Sequence, residues 1–321
     1  MNEIGRKIAD KIIEIHGSTD FKIAFLPYKR SMWNSMESVY EELLTSGVDA
    51  HCVPIPYIRM KMNYQIDRID SDFELFGGFA ESTMALEKMD PDYVVIHYQY
   101  ENNNLVTKML PEYHTRAIKR RLKCKVIFIP YGYCLGPENR QFVIQPGLRE
   151  VDYAFVEAEE NVQPFIEEWK SFGIDFTGRV WGLGSPKLDS FQKIHEEIPE
   201  EWLGKVDSRS ISLVTTSLGP FLSDSDGRIE AYKKAVNKEI DNGNAVIFRP
   251  HPLLRTTINS MRPEKLGDYI SMMIEFRDMD HVIVDESEFL ERAVGISDRL
   301  VSDVSSLIPM WQQTGKPFRI I

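Results

Sequence analysis

The segment AVIFRPHP, residues 245–252, decides the fold class. A short apolar run, Ala245–Phe248, ends in the polar residues Arg249 and His251. Similar runs rich in valine and isoleucine recur along the chain, and segments with helical spacing of apolar residues separate them. Continuous apolar strands between helices are typical of parallel sheets covered on both faces. The sequence therefore predicts an α/β protein.

These strands are too numerous for one sheet, so we expect two doubly wound, Rossmann-like domains that face a cleft. The domains are predicted at residues 1–175 and 176–321. The predicted strands are FKIAFLP (21–27), AHCVPIPYI (50–58), DYVVIHYQY (92–100), KVIFIPYG (125–132), VDYAFVEA (151–158), ISLVTT (211–216), AVIF (245–248), HVIV (281–284), LV (300–301) and PFRII (317–321). Helices are predicted over 32–44, 73–89, 111–121, 162–172 and 228–240.

Composition excludes several classes of function. The chain has 321 residues, with 38 lysines and arginines against 49 aspartates and glutamates, and a net charge of −11. This acidity argues against nucleic-acid binding, because the phosphate backbone would be repelled. Three cysteines without a CxxC pair argue against a disulfide framework or a structural zinc and indicate a reducing compartment.

The N-terminal segment predicts an amphipathic helix with Ile4, Ile8, Ile12 and Ile15 on one face. It lacks the features of a secretory signal, and no apolar stretch approaches the roughly 20 residues that span a bilayer. We expect this face to pack on the protein itself, with membrane contact as the alternative. The expected location is the cytoplasm.

Ligands of open α/β sheets bind beyond the carboxyl ends of the strands. Arg249 and His251 occupy such a position, and the prolines on both sides of His251 fix the direction of its imidazole. An arginine fork suits phosphate, and a histidine supplies a proton or a hydrogen bond. The alternative is an arginine that caps a helix and a histidine that fastens a turn.

Three other segments carry candidate binding residues. SDVSS (302–306) opens a predicted helix and offers amides and hydroxyls to an anion, although serine and aspartate are also ordinary N-caps. The loop WGLGSPK (181–187) allows close approach of a ligand, or is an interdomain turn. Strand-end hydroxyls near residue 216 either bind a nucleotide or cap the strand. The candidates are Gly184, Ser185, Lys187, Thr216, Ser217, Ser302, Asp303, Ser305 and Ser306.

Two further features have structural alternatives that we favour. His97 lies near the end of DYVVIHYQY and is a candidate base, but a lone strand histidine is more often a core residue. Asp224 and Asp226 form a DxD triplet that directly precedes a helix, so we interpret them as caps. P-loop, GxGxxG, GxSxG and HExxH motifs are absent from the sequence.

The second half resembles the CDP-glycerol glycerophosphotransferase family, whose members build teichoic-acid-type polymers. The matching segments are GSPK (184–187), RPHP (249–252), SDVSS (302–306) and TGKP (314–317), in the family's order. The first half, with KIAFLPYKRSMWNSMESVYEE, looks like a bacterial subgroup of this superfamily. The resemblance implies a glycosyltransferase-B-type fold in which residues 1–175 form the acceptor-side domain and residues 176–321 form the donor-binding domain. It also implies that Arg249 and His251 contact the donor pyrophosphate and that the SDVSS serines cradle it.

The chain departs from the family pattern at the usual His-Gly pair, where Tyr131–Gly132 stands instead. His97 is then the alternative base, or base catalysis is dispensable. The sequence also ends on a strand where this fold commonly closes with a helix, so the last sheet is short or the chain continues.

The resemblance implies that an acceptor hydroxyl attacks the distal phosphorus of a CDP-activated alcohol and that CMP leaves. Arg249, His251 and His97 are the expected catalytic residues, and no metal or other cofactor is expected. The implied acceptor is a polymer or a lipid-linked molecule, with peripheral contact at the inner face of the membrane. Two alternatives stay open: a nucleotide-sugar glycosyltransferase of the same fold, and a degenerate module that binds a nucleotide or a partner.

Overall fold

A computed structural model describes residues 2–61, 65–104, 106–132, 143–192, 197–287, 290–305, 307–312 and 314–321. The chain divides into two compact units, each with its own sheet. The first unit comprises Met1–Met60 and Tyr64–Gln192, and the second comprises Lys61–Asn63 and Lys193–Ile321.

The first unit is built on a parallel sheet of six strands. The strands of the whole unit, in chain order, are β1 (Lys22–Phe25), β2 (Asp49–Cys52), β3 (Tyr57–Met60), β4 (Ile66–Asp70), β5 (Tyr93–Ile96), β6 (Thr107–Met109), β7 (Lys125–Phe128), β8 (Tyr153–Val156) and β9 (Val180–Gly182). The sheet order is β2-β1-β5-β7-β8-β9, with parallel pairing throughout. The central strands are apolar and fully buried, because helices cover both faces.

A small antiparallel sheet, in the order β4-β3-β6, was not predicted. Strand β4 reads IDRID, and its residues are mostly exposed. Its apolar residues do not alternate with polar ones and no face of the strand is buried, so the sequence pattern gives little indication of a strand.

The helices of the first unit are partly shorter than predicted. They are α1 (Glu3–His16), α2 (Glu37–Thr45), α3 (Phe73–Phe76), α4 (Ala85–Met89), α5 (Thr115–Leu122), α6 (Val162–Lys170) and α7 (Lys187–Gln192), with 3₁₀ turns at Arg30–Ser35, Gly77–Phe79, Pro111–Tyr113, Pro146–Leu148 and Glu159–Asn161. The helix predicted over 73–89 is interrupted at Gly77, whose φ of +63° is incompatible with an α-helix.

The amphipathic helix α1 packs on the body of its own unit. Ile8 and Ile12 are fully buried in the core. The carboxylate of Asp189, on α7, accepts the backbone N–H groups of Ile4 and Gly5 at 3.1 and 2.6 Å. This carboxylate satisfies two of the donors that a helix start leaves unpaired. The apolar face of α1 is therefore accounted for by packing within the unit.

The second unit is built on a parallel sheet of five strands. Its strands are β10 (Ile211–Thr215), β11 (Ala245–Arg249), β12 (Val282–Val284), β13 (Arg299–Ser302) and β14 (Phe318–Ile320), in the order β12-β11-β10-β13-β14. Its helices are α8 (Glu200–Val206), α9 (Leu218–Ser223), α10 (Ser225–Asp241), α11 (Leu254–Met261), α12 (Leu266–Asp278), α13 (Leu290–Ile296) and α14 (Leu307–Gln312), with a 3₁₀ turn at Pro263–Lys265.

The prediction of an α/β protein with two Rossmann-like halves is confirmed. The first unit continues past the boundary expected after residue 175, because β9 adds a sixth strand to its sheet and α7 packs on α1. The acceptor and donor roles given to the two domains stay predictions. Among the described helices, none has both the length and the apolarity needed to cross a membrane.

Candidate functional site

The second sheet brings three predicted segments to one edge. β11, β10 and β13 are adjacent parallel strands, and Arg249 pairs in register with Thr215, which pairs with Ser302. These three residues stand at the carboxyl ends of their strands, where open α/β sheets place their ligands. The RPHP and SDVSS segments therefore meet on the same side of one unit. We call this set of strand ends and the residues that follow them the carboxyl edge.

A chain of hydroxyl groups links the end of β10 to the SDVSS segment. Thr215 Oγ1 donates to Ser302 Oγ at 2.7 Å, and Ser302 Oγ donates to the carbonyl oxygen of Asp303 at 2.7 Å. Ser305 Oγ lies 3.4 Å from Ser302 Oγ and accepts the N–H of Leu307 at 3.3 Å. Ser305 thus acts as a cap for the short helix α14, which is the structural alternative that the sequence left open. Ser306 lies outside the described residues.

His251 is half-buried and held in a fixed orientation at this edge. Its backbone N–H donates to Thr216 Oγ1 at 3.0 Å. Its ring Nδ1 accepts the N–H of Leu253 at 3.1 Å. A neutral imidazole that accepts at Nδ1 carries its proton at Nε2, so the Nε2 side of the ring is the donor. Pro250 and Pro252 restrict the backbone around it, as the sequence predicts.

The guanidinium of Arg249 is engaged in a buried ion pair that the sequence did not predict. It donates to the carboxylate of Asp285, to the hydroxyl of Ser287 at 3.3 Å and to the carbonyl oxygen of Ser287 at 2.6 Å. Asp285 also accepts the N–H of Ser287 at 2.9 Å. The positive charge is therefore balanced within the protein. Asp285 directly follows β12, so the strand-end rule that selected Arg249 also applies to it.

Asp303 and Ser217 serve the packing of this edge. The buried carboxylate of Asp303 accepts the N–H of Ser217 at 2.8 Å, the hydroxyl of Tyr232 at 2.5 Å and an N–H of Arg228 at 2.9 Å. Ser217 Oγ donates to the carbonyl oxygen of Val304 at 3.2 Å. Three donors of the protein satisfy this buried carboxylate, and two of them lie on α10, so Asp303 anchors the SDVSS segment to α10.

The TGKP segment is also anchored within the protein. Lys316 Nζ donates to the carbonyl oxygens of Gly295 at 3.0 Å and Ser297 at 2.7 Å. Trp311 Nε1 donates to the carbonyl oxygen of Lys316 at 3.1 Å. The lysine therefore binds the end of α13, and the motif holds β14 in place.

Gly184, Ser185 and Lys187 belong to the first unit, apart from the donor-binding domain to which they were assigned. Gly184 has φ of +107°, and a Cβ there would lie 3.0 Å from Cδ1 of Ile4. Gly184 therefore allows its loop to lie close to α1. Ser185 is buried, and its hydroxyl has no hydrogen-bond partner among the described residues. Lys187 Nζ lies 5.7 Å from the ring centroid of Tyr131.

His97 has the environment of a core residue. It is fully buried, its Nε2 accepts the N–H of Tyr28 at 2.9 Å, and its Nδ1 lies 3.2 Å from Ser35 Oγ. Burial, together with the positive charge of Lys187, lowers the pKa of His97 to about 3. A base needs an accessible lone pair and a pKa near the working pH. His97 has neither, so its expected role as a base is replaced by a structural one.

The DxD triplet is a helix cap, as interpreted from the sequence. Asp224 Oδ1 accepts the N–H of Gly227 at 3.0 Å at the start of α10, and Asp226 pairs with Lys265 at 2.5 Å. Within the described ranges, no cluster of three or more histidine, cysteine, aspartate or glutamate side chains is arranged to hold a metal ion. The expectation that no metal is needed stays a prediction.

Comparison with known proteins gives a likeness of fold. No family model and no curated protein matches the chain. The UDP-GlcNAc 2-epimerase from Methanocaldococcus jannaschii, in complex with UDP-GlcNAc and UDP, is 12% identical, with a TM-score of 0.57 over 93% of this chain and 83% of that one. The UDP-N-acetylglucosamine 2-epimerase from Rickettsia bellii is 15% identical, with a TM-score of 0.55 over 93% and 78%.

The wall teichoic acid polymerase TagF, in a structure with CDPG, is 13% identical, with a TM-score of 0.51 over 98% of this chain and 72% of that one. The chain has the glycosyltransferase-B-type fold that these proteins share. Identities this low show the fold alone.

Proposed function

We propose that this protein is a transferase that moves a phospho-alcohol, glycerol phosphate or a similar group, from a CDP-activated donor to an acceptor hydroxyl. The observation that carries the proposal is the meeting of RPHP and SDVSS at the carboxyl edge, where Thr215 joins Ser302 and Thr216 orients His251. The likeness of fold to TagF is consistent with this assignment.

The chemistry is a single displacement at phosphorus. The acceptor oxygen forms a bond to the distal phosphorus of the donor, and the bond from that phosphorus to the bridging oxygen breaks. CMP leaves with the electron pair of the broken bond, and the acceptor proton passes to solvent. Phosphoryl transfer of this kind depends chiefly on positioning and charge stabilisation, so the proposal assigns no base.

Each residue of the carboxyl edge then has one role. His251 donates to the donor pyrophosphate through Nε2, because Nδ1 is occupied by the N–H of Leu253. The hydroxyls of Thr216 and Ser305 line the phosphate position. Arg249 is a positioning residue, since Asp285 balances its charge and the pair holds the residues after β12. These assignments replace the direct contact between Arg249 and pyrophosphate that the family resemblance implies.

The proposal also carries the acceptor and the location that the resemblance implies. The acceptor is a hydroxyl of a cell-surface polysaccharide or of a teichoic-acid-type polymer, reached at the inner face of the membrane.

A nucleotide-sugar enzyme is the second candidate. The two epimerase structures match the fold with TM-scores of 0.57 and 0.55, and one of them contains UDP-GlcNAc. A third candidate is a module that binds a nucleotide without turnover. It is favoured by Tyr131, which stands where the family carries the histidine thought to act as base.

Thermal-shift measurements with CDP-glycerol, CDP-ribitol and UDP-GlcNAc separate the first two candidates. A ligand at 100 times its Kd stabilises a protein by about 2.7 kcal/mol, so even weak donors raise the Tm. The proposal predicts stabilisation by a CDP-alcohol and CMP release when an acceptor polymer is added. Stabilisation by UDP-GlcNAc alone would contradict it, and binding without CMP release across an acceptor panel would favour the third candidate.

A further inference from the structure

A shallow cavity of about 480 Å³ lies at the start of α5 in the first unit. Its volume falls within the range of roughly 300–1,000 Å³ that is typical of small-molecule sites. Its lining is strongly basic, and no described aspartate or glutamate belongs to it. The lining residues are Pro111, His114, Arg116, Ala117, Arg120 and Arg121.

Arg116 and Arg120 are the poorly neutralised arginines of this cavity, whereas Arg121 pairs with Glu87 at 3.3 Å. Arg116 and Arg120 are four residues apart, so they lie on the same helix face. Arg116 pairs with Glu150 at 3.3 Å, but both side chains are exposed, at 65% and 41%. Such a pair is weak and is screened by solvent, so an anion that binds Arg116 displaces Glu150 with little loss of free energy. Arg120 has no ion pair among the described residues.

The concentration of charge contrasts with the rest of the chain. The helix reads TRAIKRRL and contains four basic residues and no acidic one, in a protein with a net charge of −11. Lys119 is neutralised by Asp152, at 2.8 Å. Arg116 and Arg120 line the cavity, and the repulsion between their like charges falls when an anion binds between them.

The side chains, and not the helix end, are the groups available to a ligand. The N–H of Thr115, at the start of α5, donates to Glu101 Oε1 at 2.9 Å, so a carboxylate of the protein already caps this end. His114 also lines the cavity; its Nε2 is buried without a hydrogen-bond partner among the described residues, and its Nδ1 lies 3.7 Å from Glu101 Oε2. The planar guanidinium forks suit an oxyanion with several acceptors.

We propose that this cavity binds a phosphate group. Guanidinium groups bind phosphate through two parallel hydrogen bonds, which favours phosphate over a simple halide. The phosphate belongs to a free phosphorylated molecule or to a lipid headgroup, since both present the same chemistry. The site lies in the first unit, whereas the carboxyl edge lies in the second, so it does not depend on the proposed transferase activity.

Calorimetric titration of the full chain carrying His251→Gln with inorganic pyrophosphate tests the site, because this background removes the histidine proposed to bind pyrophosphate at the carboxyl edge. We expect the double variant Arg116→Gln/Arg120→Gln to weaken binding by at least about tenfold, because two charged hydrogen-bond partners are lost. The control is Arg68→Gln/Arg277→Gln, which removes the same charge from exposed positions elsewhere and leaves binding unchanged. An unchanged Tm in each variant shows that folding is intact.

Sedimentation with vesicles identifies the source of the phosphate. Vesicles of phosphatidylglycerol that bind wild type but not the Arg116/Arg120 variant indicate a lipid headgroup, with phosphatidylcholine vesicles as the control. Binding of pyrophosphate without binding of vesicles, again dependent on these arginines, indicates a free phosphorylated molecule. The proposal is overturned if neither probe binds, or if binding persists in the Arg116/Arg120 variant.

Discussion

Arg249 donates to the carboxylate of Asp285, and both side chains are almost completely buried, with 5% and 2% exposure. The pair joins the ends of β11 and β12 through Ser287. A buried charge is stable only when its partner and its hydrogen bonds are in place. Asp285 is therefore as necessary to the carboxyl edge as Arg249, which the sequence pattern identified.

Removal of Asp285 leaves the guanidinium buried without a counter-charge. We expect Asp285→Ala to lower the free energy of unfolding by about 3–5 kcal/mol. Urea denaturation measures this loss. The control is Arg277→Ala, which breaks the exposed pair with Glu286 and is expected to cost about 1 kcal/mol or less. Equal losses of unfolding free energy in the two variants would show that the buried pair stabilises the protein no more than the exposed pair does.

His97 makes folding sensitive to acid. Its pKa is lowered to about 3 in the folded protein, while an unfolded histidine titrates near 6.5. The unfolded state then binds more protons between these values, so stability is lost as the pH falls from about 6.5 toward 3. Urea denaturation across this range, with His97→Gln for comparison, should show a flatter pH dependence in the variant. ¹⁵N NMR provides the second readout, and a protonated His97 ring at pH 5 would contradict this account.

Glu239 is a buried carboxylate that links three elements of the second unit. It accepts from Ser212 at 2.8 Å, from Asn244 at 2.9 Å and from Arg319 at 3.1 Å. Burial by itself raises the pKa of Glu239, but these hydrogen bonds outweigh burial and leave the pKa below its ordinary value. Its contribution is complete above the unfolded pKa of about 4.3 and disappears as the pH falls through the folded pKa.

We therefore expect Glu239→Gln to cost about 1–3 kcal/mol at pH 7 and less in acid. Denaturation at several pH values measures the difference from wild type. Glu230→Gln, an exposed change on the same helix, is the matched control and should be nearly neutral. A loss at Glu239 that is constant from pH 7 to 3 would contradict the predicted linkage.

Gly5 allows α1 to lie against α2. A Cβ at this position would lie 2.6 Å from the carbonyl carbon and the Oγ of Ser38, so the helices would have to separate. We expect Gly5→Ala to cost about 1–3 kcal/mol. Gly204→Ala, in α8, meets nothing within 4 Å and is expected to stabilise by about 0.5–1 kcal/mol. Thermal denaturation distinguishes opposite signs, and a lowered Tm for both variants would contradict the steric explanation.

Much of the second unit was predictable from local pattern. Apolar runs such as AVIF predict buried parallel strands, and the strand-end rule places RPHP and SDVSS at one edge, as observed. The pairing of Arg249 with Asp285 was not predicted. The hydrophobic pattern of a sequence places a residue at the end of a strand, but it does not identify the residue with which its side chain pairs. The same limit applies to His97, whose burial depends on the tertiary contacts of Tyr28 and Ser35.

The first unit was less predictable because its motifs serve packing. GSPK resembles a family segment expected to bind the donor, yet here Gly184 contacts α1, and Asp189, two residues after the motif's lysine, caps that helix. A sequence motif records residue types and spacing. It does not distinguish a glycine that admits a ligand from one that admits a neighbouring side chain.

Calorimetric titration with CDP-glycerol tests the central claim, that His251 at the carboxyl edge binds the pyrophosphate of a CDP-alcohol. We predict saturable binding by wild type, a Kd at least about tenfold weaker for His251→Gln, and no change for His281→Gln, which alters a histidine just before β12 at the opposite edge of the same sheet. Absence of binding, or equal affinity in wild type and His251→Gln, would contradict the claim.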